Sequence, residues 1–99
     1  MDPVTVIISA LTAGAVTALQ DTATKAVSDL YAGLKALIQK KFAGNSLAES
    51  ILNEHAKDPE TYAKPLEKNL KDSKIDRDEE IVKVAEELLE AVTSGAATR

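Results

Sequence analysis

Few of the side chains in this 99-residue sequence are placed where they could do chemistry together. The only histidine is His55, which follows Glu54 on a short stretch of helical pattern. A metal site needs three or four ligands at suitable spacing, which one imidazole beside one carboxylate does not supply. Cysteine is absent, which removes thiolate chemistry, disulfides and Cys-based metal sites and fits a reducing compartment. Serines and threonines are plentiful, yet a nucleophilic hydroxyl needs a base held against it, and no nucleophile-elbow sequence accompanies His55. The glycines at 14, 33, 44 and 95 are scattered, so no phosphate-cradling loop is present. The pairs Glu79-Glu80 and Glu86-Glu87 are adjacent in a helical pattern, and adjacent helical positions do not face each other. The residues therefore predict no catalytic group, no metal site and no cofactor, in a protein that is not an enzyme. His55 reads as a partly buried packing residue or a surface one.

The remaining composition is that of a single helical domain. Hydrophobic residues make up 44% and charged residues 28%, while aromatics are only Tyr31, Phe42 and Tyr62. The core must be aliphatic and Ala-rich, which suits closely approaching helices. Net charge is −4 and unevenly placed. Lys25, Lys35, Lys40 and Lys41 outweigh Asp2, Asp21 and Asp29 in residues 1–45, whereas eight basic groups face thirteen acidic ones in residues 46–99. An acidic half-chain argues against a nucleic-acid partner, which requires a basic face to displace counterions.

Helix signals punctuate the whole chain. Asp2-Pro3 places a capping side chain before a proline at the first helical position. Val4, Ile7, Ile8, Leu11 and Leu19, with Ala15 in the gap, then make one apolar face. Ala10, Gly14 and Ala18, with Thr5, Ser9 and Thr12, are expected on the other side. Asp21 or Thr22 can cap a second helix with the stripe Val27, Leu30, Tyr31, Leu34, Leu37, Ile38 and Phe42, ending in Lys40, Lys41 and a Gly44 stop. Ser46-Leu47-Ala48-Glu49 fits a capping box, predicting a third helix from Leu47 with Ala48, Ile51, Leu52 and His55 on its inner face. Asp58-Pro59 starts a fourth, carrying Tyr62, Leu66 and Leu70, in which Pro65 either kinks the helix or begins its regular part. Asp76 or Asp78 starts the last helix, through Ile81, Val84, Ala85, Leu88, Leu89 and Val92 to Gly95. No stretch alternates with period two. The expected fold is all-α, a four- to five-helix bundle over residues 1–93 with a hydrophobic N-terminal helix, followed by a linker or tail over 94–99.

The first helix is unusual because nothing between Pro3 and Gln20 is charged. A signal peptide wants a positive n-region, which Met-Asp-Pro lacks. A permanent span wants about 20 apolar residues, and Val4 to Leu19 supplies 16, diluted by four hydroxyl residues. A central helix of a soluble bundle accounts for the oily face but not for the uncharged remainder, since surface helices normally carry Lys or Glu there. The other reading is a helix soluble while packed yet cheap to place in lipid once released, since no charge has to be carried inward. Its Ala10, Gly14 and Ala18 make a small-xxx-small ridge.

The segment MDPVTVIISALTAGAVTALQDTATKAVSDLYAGLKALIQKKF resembles the N-terminal half of the bacterial Bell domain, and the likeness continues through LAESILNEHAKDPETYAKPLEKNL to the last helix. The Asp-Pro start, the uncharged Gly-containing first helix and the YAGLKALI segment at 31–38 carry it. That family is compared with fungal HeLo and HeLo-like domains and with the four-helix executioner of the mixed-lineage kinase-like pseudokinase. The resemblance implies a membrane-targeting cell-death effector in bacterial immunity, cytoplasmic at rest and at the cell membrane when activated. It implies self-oligomerisation, driven by an NLR-type sensor through an amyloid motif, and inner membrane lipids as the target. By match of position Val4, Val6, Ile7, Ile8, Leu11, Gly14, Val16 and Leu19 would insert. Lys35, Lys40 and Lys41 could meet anionic head groups. The final EAVTSGAATR is not an Asn- or Gln-rich amyloid stretch. Two other readings compete: a death-fold-like adaptor binding a protein through acidic residues 78–90, and an antitoxin or small regulator.

Overall fold

A helix leaves its first backbone N–H groups without partners, and side chains that accept from them fix where it begins. In the computed structural model, which describes residues 2–18 and 24–97, and the side chains of these except 18 and 94–97, each of five α-helices starts at such a cap. Helix α1 spans Pro3–Ala18, with the Asp2 carboxylate accepting from the Thr5 amide at 3.0 Å. Helix α2 spans Lys25–Lys41 behind Thr24, whose hydroxyl accepts from the Val27 amide at 3.2 Å. Helix α3 spans Ser46–Lys57 behind Asn45, which accepts from the Ala48 amide at 3.1 Å. Helix α4 spans Pro59–Asp72 behind Asp58, and α5 spans Glu79–Ala97 behind Asp78. A 3-10 turn, Ile75–Arg77, connects the last two. The described residues contain no strand.

Several sequence expectations about boundaries change. Thr24, not Asp21 or Thr22, caps α2; both of those lie outside the described residues. Thr24 has extended backbone (φ −78°, ψ 159°), so α2 begins as a new helix. Asn45 rather than Ser46 caps α3, because its carboxamide reaches the Ala48 amide and leaves Ser46 as the first helical residue. Gly95 does not stop α5, whose backbone stays helical to Ala97. Pro65 neither starts nor ends α4: the helix runs through it, and the Asn69 side chain donates to the Pro65 carbonyl at 2.9 Å. Helix α2 ends at Lys41 with Phe42 as its C-cap, and Gly44, with φ +90°, sits one residue beyond the expected C′ position, in the turn that follows.

The stripes close into one core. Helix α1 packs against all four other helices, α2 lies along α5, and α3 along α4. Val27, Leu34 and Ile38 of α2 with Phe42 just after it, Leu52 of α3, Leu66 and Leu70 of α4, and Ile81, Ala85 and Leu88 of α5 are buried around α1. Asp78 joins two helices: it accepts from the Glu80 and Ile81 amides at 3.1 and 3.2 Å and pairs with Lys41 of α2 at 3.2 Å. The Ile81 amide, then the Lys41 ammonium, hold its carboxyl below the usual carboxylate range.

Candidate functional site: the uncharged first helix

Because α1 sits among four helices, half of its circumference is core. Val4, Val6, Ile7, Ala10, Leu11, Gly14 and Ala15 are buried. The small ridge therefore does not lie opposite the oily face as the sequence suggested. At 100° per residue Ala10 and Gly14 fall beside Ile7 and turn inward with it. The outward arc consists of Thr5 and Val16, exposed, with Ile8, Ser9, Thr12 and Ala13 half-buried. No charge lies on it. Ile8, Ser9, Thr12, Ala13, Val16 and Val92 of α5 line a shallow cleft of about 520 Å³ along this arc.

At Gly14, α1 lies close against both α2 and α5. A Cβ built there would stand 2.5 Å from Cδ1 and 3.0 Å from Cγ of Tyr31, and 3.1 Å from Cδ2 of Leu88. The half-buried Tyr31 ring of α2 thus lies on the bare backbone of α1, and burial pushes its hydroxyl pKa up. On α3 the buried His55 brings Nε2 to 3.3 Å from the Thr12 hydroxyl. A hydroxyl beside an imidazole has two parts of a nucleophile–base arrangement. Among the described residues, however, no side chain hydrogen-bonds the other ring nitrogen to orient it. The contact ties α3 to α1. Burial holds the His55 pKa below its ordinary 6.5, keeping the ring neutral.

That burial has a pH consequence. The unfolded chain takes up a proton near 6.5 that the folded protein resists, so stability is intact above that value and declines as pH falls through it. Asp2, held low chiefly by the Thr5 amide, and Asp78 are also depressed, but from 3.8, so their losses come at more acid pH. The urea midpoint should therefore fall between pH 7.5 and 5.5 in the natural protein. It should stay nearly level over that interval in His55→Gln, which keeps a hydrogen-bonding partner for Thr12.

The proposed inserting residues are thus gathered on one helix but not on one surface. Val4, Val6, Ile7, Leu11 and Gly14 face inward, Ile8 is half-buried, Val16 faces out, and Leu19 lies outside the described residues. The three lysines share α2: Lys35 is half-buried, Lys40 is exposed, and Lys41 is engaged with Asp78. On α4, Lys68 and Lys71 are paired with Asp72 and Glu67 at 3.0 and 3.2 Å. Tyr31 and Leu88 matter to the site as the seat of Gly14. The sequence marks both only as stripe residues. Among the described residues no group of side chains could hold a metal ion, and no helix is long and apolar enough to cross a membrane.

Comparison with curated proteins and with solved structures gave no match. The profile of the Het-E N-terminal domain matches residues 1–98. This agrees with the HeLo-like relation expected from the opening segment. The chain belongs to the Het-E N-terminal domain family, a HeLo-like family of cell-death and incompatibility domains.

Proposed function

We propose that this domain is a membrane-permeabilising cell-death effector of the Bell type, acting in bacterial immunity, and that α1 is the element that enters the bilayer when copies are clustered. The observation that carries the reading is the outward arc of α1. Thr5, Ser9 and Val16 could hold charge there with no core contact to lose, and they hold none. A buried helix needs no charge, but an exposed arc without one gains nothing for a soluble bundle.

At rest, burial of the large aliphatic residues of α1 stabilises the bundle by on the order of 1.5–3 kcal/mol each. Clustering by an NLR-type sensor raises the local concentration of first helices and offsets the cost of release. Helix α1 has 16 residues, about 24 Å of helix against roughly 30 Å of hydrocarbon. It would enter by local thinning or as an assembly. Gly14, freed from Tyr31, would let copies approach closely. Lys35 and Lys40 would meet anionic head groups, and Lys41 would do so only after leaving Asp78. The domain would be cytoplasmic at rest, with inner membrane lipids as its target.

The outward arc also supplies the test. Ser9→Asp and Val16→Asp place charge away from the core, so circular dichroism and urea midpoint should be nearly unchanged. Each central charge disfavours insertion by about 2.5–3.5 kcal/mol, roughly a hundredfold in equilibrium. The domain fused to an inducible oligomeriser should release dye from anionic liposomes, and folded Ser9→Asp should be close to silent. Equal leakage from both, or none from the clustered natural sequence, defeats the proposal. A silent but clustered domain would instead suit an adaptor.

A further inference from the structure

Among the described residues His55 is the one polar side chain that the core fully encloses, at 1% exposure. It stands where α3 meets α1, with Nε2 3.3 Å from the Thr12 hydroxyl. Thr12 in turn lines the shallow cleft along the outward arc, so the ring lies one side chain below water. Helix α3 lies along α4 and is joined to it directly at Asp58, whereas it meets α1 over a smaller contact. Of the two walls around the ring, α1 is therefore the easier to move.

Among the described residues no carboxylate pairs with the ring to hold it charged. Helix α1 has no titratable side chain from Pro3 to Ala18. On α4, Tyr62 and Glu67 are half-buried, with Glu67 engaged by Lys71 at 3.2 Å, while Glu60, Lys64, Lys68 and Lys71 are exposed. On α3 itself Glu49 is half-buried and Glu54 lies 3.9 Å from Lys57, and the Asp58 that follows is exposed and caps α4. Burial is what sets the ring's preference for the neutral form. The Thr12 hydroxyl can turn to accept from an imidazolium, but one neutral hydroxyl does not replace the water that a charged ring loses.

We infer that His55 is a proton-operated latch on the first helix: protonation of the buried ring in acid drives α1 away from α3 and favours the released form. The inference deepens the membrane reading and rests on it for one consequence, that acid lowers the clustering needed for dye release. The size of the effect follows from the ordinary imidazole value of 6.5. A ring in water passes from about one-tenth to about nine-tenths charged between pH 7.5 and 5.5, which favours the released form by up to about tenfold.

Hydrogen exchange of the unclustered domain, without lipid, reads the latch directly. After correction for the intrinsic pH dependence of exchange, protection of α1 amides should fall by about threefold to tenfold from pH 7.5 to 5.5. Amides of α2 and α5 should lose less, and His55→Gln should remove the fall in α1. Because His55 is the only histidine, its ring proton resonance follows the titration in the natural sequence. That measurement keeps the test open should His55→Gln fold poorly, and the folded ring should titrate below 6.5. An equal fall in every helix would mean general acid unfolding and would overturn the inference. So would an α1 fall that persists in folded His55→Gln, or a folded ring that titrates at 6.5 or above. Dye release keeps the two readings apart: a clustered domain that frees α1 in acid yet leaks at no pH defeats the membrane reading and leaves the latch standing.

Discussion

Gly14→Leu is expected to abolish the folded bundle rather than merely to test a membrane contact. Even a methyl group at 14 would lie 2.5 Å from the Tyr31 ring and 3.1 Å from Leu88, well inside ordinary contact. Gly14→Ala gains about 1 kcal/mol of helix propensity, against about 1–3 kcal/mol for overpacking a tight site. The ring atoms in the way belong to the base of Tyr31, next to its backbone, and cannot swing aside as the end of a lysine could. A net loss of stability in urea unfolding is therefore expected for Gly14→Ala, with Gly14→Leu losing its cooperative transition. Adding Tyr31→Leu should recover part of the Gly14→Ala loss, so that the two changes together cost less than their sum. Full additivity would show that Tyr31 is not what Gly14 makes room for. Loss of toxicity in a Gly14 variant consequently reports on folding, and the charged variants of the outward arc are the ones that report on insertion.

Leu88→Ala should have the second-largest effect, a loss of about 2–5 kcal/mol from removing a fully buried side chain. Domains of this size are stable by roughly 5–15 kcal/mol in all, so the variant should sit near the edge of unfolding at 37 °C. Leu88 contacts the Gly14 position, so the loss falls on the α1–α5 contact in particular. On the effector reading, a looser seat for α1 lowers the degree of clustering needed for dye release. Leu70→Ala, equally buried but on α4, provides the comparison for general destabilisation. If both variants shift leakage alike, release of α1 does not depend on its seat against α5.

The stripes of α2, α3, α4 and α5 were legible because aliphatic spacing of three and four has one physical solution, burial of that side. The Asp2 and Asp58 caps were legible for a related reason: an acid before a proline leaves few alternatives. The Ser46 assignment went astray because Asn45, Ser46 and Glu49 offer two overlapping caps, and only the backbone turn after Gly44 decides between them. Gly95 looks like a stop, but a glycine ends a helix where the chain adopts positive φ, and α5 stays helical through it to Ala97. The inward turn of Ala10 and Gly14 was hidden for a different reason. Small residues look like an outer face until a partner as large as Tyr31 is known to fill the space above them. Which helices meet is a non-local fact, and a single stripe does not contain it. The contact of His55 with Thr12 was invisible for the same reason, since it exists only between α3 and α1.

The chain has no tryptophan, and its only tyrosines are 31 and 62. One of them leans on the bare stretch of α1 and the other lies on α4. Ultraviolet emission from the unlabelled protein therefore comes from these two rings, and Tyr62→Phe would make it a single-site signal at the α1 contact. Departure of α1 takes Tyr31 from a partly dry setting into water, altering its brightness, its accessibility to iodide and the alkaline pH at which it ionises. The molecule thus carries an intrinsic optical gauge of whether its first helix is docked, readable in the same cuvette as the vesicles.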